Sequence, residues 1–316
     1  MTPPRRPGRQ KKPISKSAPG TTAEVLRPVE RRFRRAKLQF GHGTDNARDE
    51  AAWLVGHVLR TTPSRLASRL DRPVTETQAK KIERLAAERI RTRKPLAYLL
   101  REAWFAGLKF FVDERVIVPR SLTGEFIREH FQPWIDVKRV RRILDLCTGS
   151  GCMAIACARA FPRAQVDAAD ISDDALAVAR LNVEKHGLRK RVRLVRSDLF
   201  GAFKGKRYDL IVTNPPYVGR VEMKTLPPEY RHEPRLALAS GKHGLDAITR
   251  ILAQAPQHLT PGGILVAEVG NRAATLQRNF PSVPFVWLTT TFGDESVFLI
   301  TAEELARHRR AFMTSS

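Results

Sequence analysis

The feature that most constrains the fold is a regular alternation of short apolar runs with helical stretches beyond Val140. The apolar runs have the aliphatic and β-branched character of buried strands, and the stretches between them suit helices. Strands joined by crossover helices form a parallel sheet that is covered on both faces. We therefore predict an α/β domain over residues 141–302, with strands at residues 142–146, 164–170, 192–195, 208–212 and 263–268.

Two further apolar runs, at residues 285–291 and 296–301, are separated by only four residues. So short a connection leaves no room for a crossover helix, and the two runs are predicted to form an antiparallel hairpin at the edge of the sheet. The expected architecture is a seven-stranded, Rossmann-like domain that ends in this hairpin.

The residues before this domain divide by composition. Residues 1–43 are predicted to be a basic, disordered tail, because residues 1–37 hold 12 Lys and Arg against two Glu and few apolar residues. Residues 44–102 are predicted to form a small helical domain. Its second helix begins at Thr75, whose Thr-x-x-Gln spacing to Gln78 is a capping box, and its basic face, which includes Arg89, is expected in solvent.

The remaining segments are a connection and a terminus. Residues 103–140 are predicted to be a hairpin and linker, because aromatic and β-branched residues flank Gly107. Residues 303–316 are predicted to be a C-terminal tail.

Composition and residue spacing exclude several classes of protein. A hydrophobic content of 42% excludes disorder throughout. No run approaches the roughly 18 apolar residues of a membrane span, and the N-terminus lacks the apolar core of a secretory signal, so we expect no membrane contact and a cytoplasmic location. Cys147, Cys152 and Cys157 match no zinc or redox spacing and are predicted to be reduced core thiols. No histidine spacing suggests a metal.

A glycine-rich loop follows the first strand of the predicted sheet. Gly149-x-Gly151-x-x-Ala154 opens a helix, and Asp170 stands 19 residues past Gly151, which fits both NAD and S-adenosylmethionine. Asp145 at the strand tip suits a cationic sulfonium ligand and would repel a pyrophosphate. Together with the terminal hairpin, a methyltransferase trait, this favours S-adenosylmethionine.

Other strand ends contribute further predicted cofactor contacts. Asp170 is expected to accept hydrogen bonds from ribose hydroxyls, since Ser172 already caps the following helix. Asp198 either accepts from the adenine amino group, beside the backbone of Leu199, or is a surface acid. The full set predicted to bind the cofactor is Asp145, Thr148, Gly149, Gly151, Asp170, Ser197, Asp198, Leu199 and Asn214.

The tetrapeptide Asn214-Pro215-Pro216-Tyr217 directly follows the fourth strand and resembles the signature of methyltransferases that act on planar nitrogen. The lone pair of such a nitrogen is delocalised. Two acceptors, the Asn214 side-chain oxygen and the Pro215 carbonyl, can hold both N–H bonds and aim the lone pair at the methyl group. The prolines remove competing donors, and Tyr217 packs across the flat group. The motif leaves open a protein glutamine, an adenine or a cytosine.

Residues from about 95 to 301 resemble the glutamine amide methyltransferase family, which modifies release factors and a ribosomal protein. The motifs that carry the resemblance are Pro95 to Tyr98, Gly107-Leu108, Val112 to Arg120, Asp145 to Gly151, Asn214 to Tyr217 and Glu233 to Leu238. The resemblance implies the class I S-adenosylmethionine-dependent methyltransferase fold with a small N-terminal helical domain.

The resemblance also implies roles for individual residues. Asn214, Pro215 and Tyr217 are the implied catalytic residues, and the implied substrate-binding set adds Pro216 and Phe105, which would pack on the methylene stem of the glutamine. Arg120 and Glu233 lie in matching motifs, where we expect an ion pair that holds the linker or a lid.

The linker sequence indicates a branch of the family. Release-factor enzymes continue the linker Pro-Arg with Pro-Glu-Thr-Glu, whereas Ser121 follows Pro119-Arg120 here. This looks like the branch that modifies a glutamine in large-subunit ribosomal protein three. The rival interpretations are a release-factor enzyme, a DNA or RNA amino-methyltransferase, which would need a pocket for an extruded base, and a ribosome assembly factor with a vestigial methyltransferase fold.

The net charge of +24 affects whether the enzyme would bind such a substrate as a free protein or within an RNA-containing particle. A cationic enzyme is repelled by a free basic ribosomal protein but attracted to ribosomal RNA. We therefore hypothesise that the target is met on an RNA-containing assembly intermediate. Composition leaves open whether the tail contacts RNA or is a solubilising leader with no specific partner. The tail cations that would supply the attraction to RNA are Arg5, Arg6, Arg9, Lys11, Lys12, Arg31, Arg32, Arg34 and Arg35.

Overall fold

The computed structural model describes residues 20–291 and 293–313. The chain divides into two compact units. One comprises the residues up to Leu38 together with Asn46–Arg91, and the other comprises Gln39–Asp45 together with the residues from Thr92 onward. No helix within the described ranges combines the length and the apolar character needed to cross a bilayer.

The first unit is helical, with α1 (Thr22–Arg35), α2 (Ala47–Val58), α3 (Pro63–Leu66) and α4 (Glu76–Thr92). The predicted capping box is confirmed, because the Thr75 backbone N–H donates to Gln78 Oε1 at 2.9 Å and the Gln78 N–H donates to Thr75 Oγ1 at 3.2 Å. The solvent exposure expected for Arg89 is wrong. This side chain is fully buried, and its Nε donates to Glu50 Oε1 at 2.8 Å.

Helix α1 contradicts the prediction that residues 1–43 form a disordered tail. Its N-terminus carries a capping box between Thr21 and Glu24, and Val29 and Phe33, four residues apart on one face, are buried. The many arginines around these two residues conceal the apolar face in the sequence. Residues 1–19, which include five of the cations expected to contact RNA, lie outside the described ranges.

The second unit begins with α5 (Leu96–Leu100), a hairpin of β1 (Ala103–Phe105) and β2 (Leu108–Phe110), and α6 (Thr123–Arg128). The predicted hairpin is confirmed. Its turn is Ala106-Gly107, with φ angles of 48° and 78°, which suits a tight hairpin connection.

Seven strands form the main sheet in the order β5-β4-β3-β6-β7-β9-β8. They are β3 (Arg142–Leu146), β4 (Gln165–Asp170), β5 (Val192–Arg196), β6 (Tyr208–Thr213), β7 (Leu259–Glu268), β8 (Val286–Leu288) and β9 (Val297–Thr301). Strands β3 to β7 are parallel, and β9 pairs antiparallel with both β7 and β8. The predicted fold class and edge hairpin are therefore confirmed.

Helices cover both faces of this sheet. They are α7 (Cys152–Ala160), α8 (Asp173–Lys185), α9 (Glu222–Thr225), α10 (Arg235–Leu238), α11 (Asp246–Gln254), α12 (Ala273–Asn279), α13 (Ala302–Arg307) and α14 (Arg309–Met313). Successive residues of β3 alternate between the two hydrophobic clusters, with Ile143 in one and Leu144 in the other.

Helices α13 and α14 correct the predicted C-terminal tail. Leu305 and Phe312 are fully buried, and the Phe312 ring lies 5.1 Å from that of Phe280. Two large apolar side chains spaced along a short, basic segment were too few to indicate helices from periodicity alone.

The strand order places a crevice at the centre of the sheet. Because β3 lies between β4 and β6, the crossover from β3 to β4 and the later return to β6 run to opposite sides. The loops that follow β3 and β6 therefore separate at their carboxyl ends, which is where open α/β sheets bind ligands.

Candidate functional site

Two cavities share a wall at the carboxyl ends of the central strands. The large cavity has a volume of 470 Å³ and the small cavity 200 Å³. Ile117, Asn214 and Ala237 line both. The large cavity lies within the range of roughly 300–1,000 Å³ that is typical of ligand pockets.

The glycine-rich loop turns the chain sharply from β3 into α7. Cys147, Gly149 and Gly151 have φ angles of 58°, 53° and 79°. A left-handed conformation is unusual for a residue with a side chain, and strained residues of this kind cluster at ligand sites. A Cβ atom on Gly151 would lie only 3.2 Å from that of Ala179, so glycine allows α7 and α8 to approach closely.

Asp145 holds this loop from behind. Its Oδ2 accepts hydrogen bonds from Thr148 Oγ1 at 2.6 Å and from the Ala154 backbone N–H at 2.9 Å. Its Oδ1 is buried and has no hydrogen-bond partner among the described residues. Burial raises the pKa of Asp145 to about 7 against the effect of these bonds. Asp145, Thr148 and Gly151 do not line the large cavity, whereas the other six predicted cofactor residues do.

Asp170 lies at the end of β4, in the wall of the large cavity. One carboxylate oxygen accepts from the Gly149 N–H at 2.9 Å, and the other accepts from the Ser172 N–H at 3.0 Å. The predicted cap of α8 is confirmed, since Ser172 Oγ accepts from the Ala175 N–H. Burial raises the pKa of Asp170, and the backbone hydrogen bonds oppose that shift.

The turn after β5 also lines the large cavity through Ser197, Asp198 and Leu199. Ser197 Oγ donates to the Leu199 carbonyl at 2.7 Å, which holds Leu199 at a φ of 47°. Asp198 Oδ2 accepts from Arg250 at 2.8 Å, and both side chains are about half exposed. Asp198 is thus at once a cavity residue and a surface ion-pair partner.

Asn214 occupies the shared wall, and its Oδ1 is buried with no hydrogen-bond partner in the described ranges. An unsatisfied buried acceptor costs about 1–3 kcal/mol, a cost that a donor such as a ligand N–H would offset. The two following prolines point apart, because Pro215 lines the small cavity and Pro216 the large one. The structure therefore brings the predicted acceptor residues to the junction of the two cavities.

Tyr217 in the small cavity is held on several sides. A Cβ atom on Gly270 would lie 2.5 Å from its ring, and one on Gly244 would lie 2.2 Å from its carbonyl oxygen. Arg272 Nε donates to that carbonyl at 3.2 Å, and the Tyr217 hydroxyl lies 3.5 Å from Glu268 Oε1. Burial and the nearby Glu268 carboxyl raise the pKa of Tyr217, so it remains a neutral phenol.

The ion pair expected between Arg120 and Glu233 is confirmed. The two guanidinium nitrogens donate to the two carboxylate oxygens at 2.6 and 2.7 Å, and the Val118 N–H donates to Glu233 at 3.0 Å. Burial alone would raise the pKa of Glu233, but the Arg120 guanidinium lowers it to about 2. Arg120 also lines the small cavity, so this pair joins its wall to the linker.

Sequence reasoning assigned no role to Glu268, which ends β7. Its Oε2 accepts from Ser121 Oγ at 2.6 Å and from the Leu122 N–H at 2.9 Å. Burial raises the pKa of Glu268 against these bonds. An acid at the end of a long apolar strand, the signal that pointed to Asp170, was also present here.

Phe105 does not take its predicted place in the substrate site. It is buried in the hydrophobic core, its ring lies 6.5 Å from that of Phe110, and it lines neither cavity. A Cβ atom on Gly124 would lie 2.9 Å from the Phe105 ring, which shows how tightly the ring is packed. The structure therefore corrects Phe105 from a substrate contact to a core residue.

The three cysteines are free thiols. Burial raises the pKa of Cys147, and it raises that of Cys152 to about 12. Cys152 and Cys157 are core residues, as predicted, whereas Cys147 is half-buried at the large cavity. Among the described residues, no cluster of His, Cys, Asp and Glu has the geometry of a metal site.

The lining of the large cavity suits S-adenosylmethionine. Asp170 offers a carboxylate to ribose hydroxyls, and Asp198 and the Leu199 backbone offer polar contacts to an adenine. Asn214 Oδ1, on a side chain that lines this cavity, is a buried acceptor without a partner among the described residues. Such a set favours a ligand rich in N–H and O–H donors and carrying positive charge.

Comparisons with known proteins identify the family of this chain. A family model described as the methyltransferase small domain matches residues 126–226, and one described as the PrmC N-terminal domain matches residues 24–100. A protein of Neisseria meningitidis serogroup A named ribosomal protein uL3 glutamine methyltransferase is 49% identical over 290 residues, which cover 90% of this chain and 94% of the relative.

Two further relatives carry the same name. The protein of Burkholderia pseudomallei is 47% identical, and the alignment covers 90% of this chain and 95% of the relative. The protein of Francisella tularensis is 45% identical, and the alignment covers 87% of this chain and 88% of the relative. The family resemblance and the S-adenosylmethionine dependence predicted from sequence are thereby confirmed. This chain belongs to the ribosomal protein glutamine methyltransferases, enzymes that use S-adenosylmethionine.

Proposed function

We propose that this enzyme transfers a methyl group from S-adenosylmethionine to the side-chain amide nitrogen of a glutamine in uL3, the large-subunit ribosomal protein three. The observation that carries the proposal is Asn214 Oδ1, a buried acceptor without a partner among the described residues, on a side chain that lines both cavities. The names of the relatives support uL3 as the substrate. A cytoplasmic location follows from such a substrate.

The large cavity would hold the cofactor. Asp170 would accept from the ribose hydroxyls, and Asp198 and the Leu199 backbone would contact the adenine. Asp145 would act through the glycine-rich loop, whose conformation it fixes. When bound, S-adenosylmethionine supplies an electrophilic methyl group on a positively charged sulfur.

The small cavity would hold the glutamine amide. Asn214 Oδ1 would accept one amide N–H and the Pro215 carbonyl the other, which fixes the amide plane with its nitrogen toward the shared wall. Tyr217, held by Gly270, would pack against the flat group. Transfer would form one N–C bond while the C–S bond of the bound cofactor breaks and its electron pair returns to sulfur, and the nitrogen would release one proton to water. Glu222 is not a free base, because it is ion-paired with Arg272.

Ser121 favours the ribosomal branch over the release-factor branch. Its hydroxyl donates to Glu268, whose other oxygen faces the Tyr217 hydroxyl. A proline, which release-factor enzymes carry after the linker Pro-Arg, has no hydroxyl to make this bond. The residue that distinguishes the branches thus connects to the small cavity.

The test uses isotope-labelled S-adenosylmethionine and ribosomal particles from cells that lack the enzyme. We expect mass spectrometry to locate the label on one glutamine of uL3 with the native protein and not with Asn214→Ala. Asn279→Ala, an exposed asparagine at the end of α12, is the matched control. Label on RNA would indicate a nucleic-acid methyltransferase, label on a release factor the other branch, and no label an assembly factor.

A further inference from the structure

A strongly basic surface lies at the amino ends of the four strands β3 to β6. We define the amino-end surface as residues 136–142, 163–167, 188–193 and 204–209, which precede and begin these strands. Together they contain 12 Lys and Arg against three Asp. Because the strands are parallel and adjacent in the order β5-β4-β3-β6, their first residues lie side by side, over a width of about 14 Å.

Contacts around Asp167 show that the four segments form one continuous surface. Arg193 Nε, from β5, donates to this carboxylate at 2.7 Å, and Lys206 Nζ, from the segment before β6, lies 4.0 Å away. Tyr208 donates its hydroxyl to Asp167 at 2.7 Å, and the Arg142 guanidinium of β3 lies over the Tyr208 ring at 5.2 Å. Two cations from different segments thus approach one acid, and a third, from another segment, stacks on the tyrosine that donates to that acid.

The other two acids of the surface are also occupied. Asp209 accepts from the backbone N–H groups of Arg141 and Arg142 at 2.7 and 2.9 Å, and Asp136 accepts from the Lys138 N–H at 2.9 Å. Most of the cations remain in solvent: Lys138, Arg139, Arg141, Arg142, Arg163, Arg189, Lys190, Arg193, Lys204 and Arg207 are exposed. Arg163, Lys190 and Lys204 form no ion pair within the described ranges.

A concentration of exposed like charge repels itself and favours a polyanion, because cations that neutralise phosphates release condensed counterions. A membrane is a poorer partner for this surface. None of the large apolar side chains that are exposed in the described chain belongs to the four segments, so the surface lacks the residues that insert into a membrane interface.

The described N-terminal cations offer less unpaired charge to an RNA partner than the sequence suggested. Of the four that the structure describes, Arg32 is paired with Glu83 at 2.6 Å and Arg34 with Glu30 at 2.7 Å. Exposed ion pairs of this kind reduce the charge available to a partner. The amino-end surface offers more free cations over a defined area.

We propose that the amino-end surface binds the phosphates of RNA. Its distance from the two cavities is the length of a strand, about 15–20 Å, so RNA can be held at one end of the sheet while the other end stays open to a glutamine. The proposal rests on the proposed function only for the identity of that RNA, which would be the ribosomal RNA around uL3.

The test compares two triple variants with equal changes of net charge. Arg163→Gln/Lys190→Gln/Lys204→Gln removes three exposed cations from three segments of the surface. Lys81→Gln/Arg84→Gln/Arg91→Gln removes three exposed cations from α4 and is the matched control. The equilibrium affinity of the full chain for a fluorescent RNA duplex is measured across a range of salt concentrations, without cofactor.

We expect the surface variant to bind RNA roughly tenfold more weakly at about 0.1 M salt, with the slope of log affinity against log salt reduced by about two. The control should keep at least most of the native affinity and slope. Equal loss in both variants, no loss in the surface variant, or equally tight binding of the native chain to phosphatidylglycerol vesicles would overturn the proposal.

Methyl transfer separates this proposal from the proposed function. Methylation of a short glutamine peptide from uL3 should proceed at the native rate in the surface variant, while methylation of RNA-containing particles should slow by roughly the factor seen in RNA binding. A native rate on the particles would overturn the docking role. Failure of the native enzyme to methylate any uL3 substrate would instead count against the proposed function.

Discussion

Three of the five parallel strands, β3, β4 and β7, carry a hydrogen-bonded acid at or near the carboxyl end, whereas the four strands β3 to β6 begin among exposed cations. Asp145, Asp170 and Glu268 each hold a neighbouring loop. The amino-end surface carries 12 Lys and Arg against three Asp, and ten of these cations are exposed. Substitutions at the carboxyl ends should therefore alter the geometry of the site and the stability of the protein. Substitutions at the amino ends should alter the long-range attraction to a polyanion.

The largest expected effect is at Asn214. Asn214→Ala removes the acceptor that positions the amide, so we expect kcat for methyl transfer to fall by about 10²–10³-fold, while the affinity for S-adenosylmethionine changes little. Steady-state kinetics and calorimetric titration measure the two quantities. The exposed Asn279→Ala should leave both at the native level. Equal losses in donor affinity and rate would show that Asn214 serves the large cavity rather than the amide.

Among the residues around the two cavities, we expect Glu233 to contribute most to the free energy of unfolding. Glu233→Gln leaves the buried Arg120 without its charged partner, and we expect the free energy of unfolding at neutral pH to fall by about 3 kcal/mol. Because folding lowers the pKa of Glu233 from 4.5 to about 2, the stabilisation is present above pH 4.5 and is lost as the pH falls from there to about 2.

Urea unfolding across this pH range measures the effect. The unfolding free energies of the native chain and the Glu233→Gln variant should converge toward pH 2, and Glu129→Gln, an exposed acid on the same unit, should change stability by less than about 0.5 kcal/mol. A difference that is constant across the range would mean that packing, and not the ion pair, is responsible.

A substitution at Gly270 tests whether close packing against this glycine positions Tyr217. Gly270→Ala places a methyl group against the ring, and we expect kcat/KM to fall by roughly tenfold, since a small displacement of a positioning group is costly. Gly262→Ala is a matched control, because Gly262 also has a positive φ, 73°, but has no atom within 4 Å of an added Cβ. Similar losses of activity in both variants would indicate backbone strain rather than displacement of Tyr217.

The smallest effect is expected from the amino-end surface. Removing the cations of Arg163, Lys190 and Lys204 should change the free energy of unfolding by less than about 0.5 kcal/mol, in the stabilising direction at low salt, because exposed like charges repel each other. Urea unfolding at low and high salt measures this. A loss of more than about 1 kcal/mol in the free energy of unfolding would show that these side chains support the fold.

Local pattern predicted the parts of the molecule that depend on neighbouring residues. The central strands, the Thr75 capping box, the terminal hairpin and the Asn-Pro-Pro-Tyr turn all follow from spacing or composition within a few residues. The parts that were mispredicted depend on distant partners. Arg89 is buried because Glu50 neutralises it, and Phe105 became a core residue through packing that no local motif records.

The residues that hold the site in place also depend on partners far away in the sequence. Glu268 and Ser121 are 147 positions apart, and Gly270 contacts Tyr217 from 53 positions further along the chain. An acid or a glycine at such a position has many possible roles until the strand order is known. Most of the predicted residues that line the two cavities were therefore recognisable from motifs, whereas Glu268 and Gly270, which lie against Tyr217, were not.

The common wall of the two cavities has a pharmacological consequence. Ile117, Asn214 and Ala237 border both spaces, so a nucleoside and a carboxamide bound there would be close neighbours. A single compound that joins the two through a short tether would occupy both spaces in one binding event, and its affinity would gain from the effective concentration of the second group. Selectivity for this branch could then be sought on the carboxamide side, where Ser121 supports the wall.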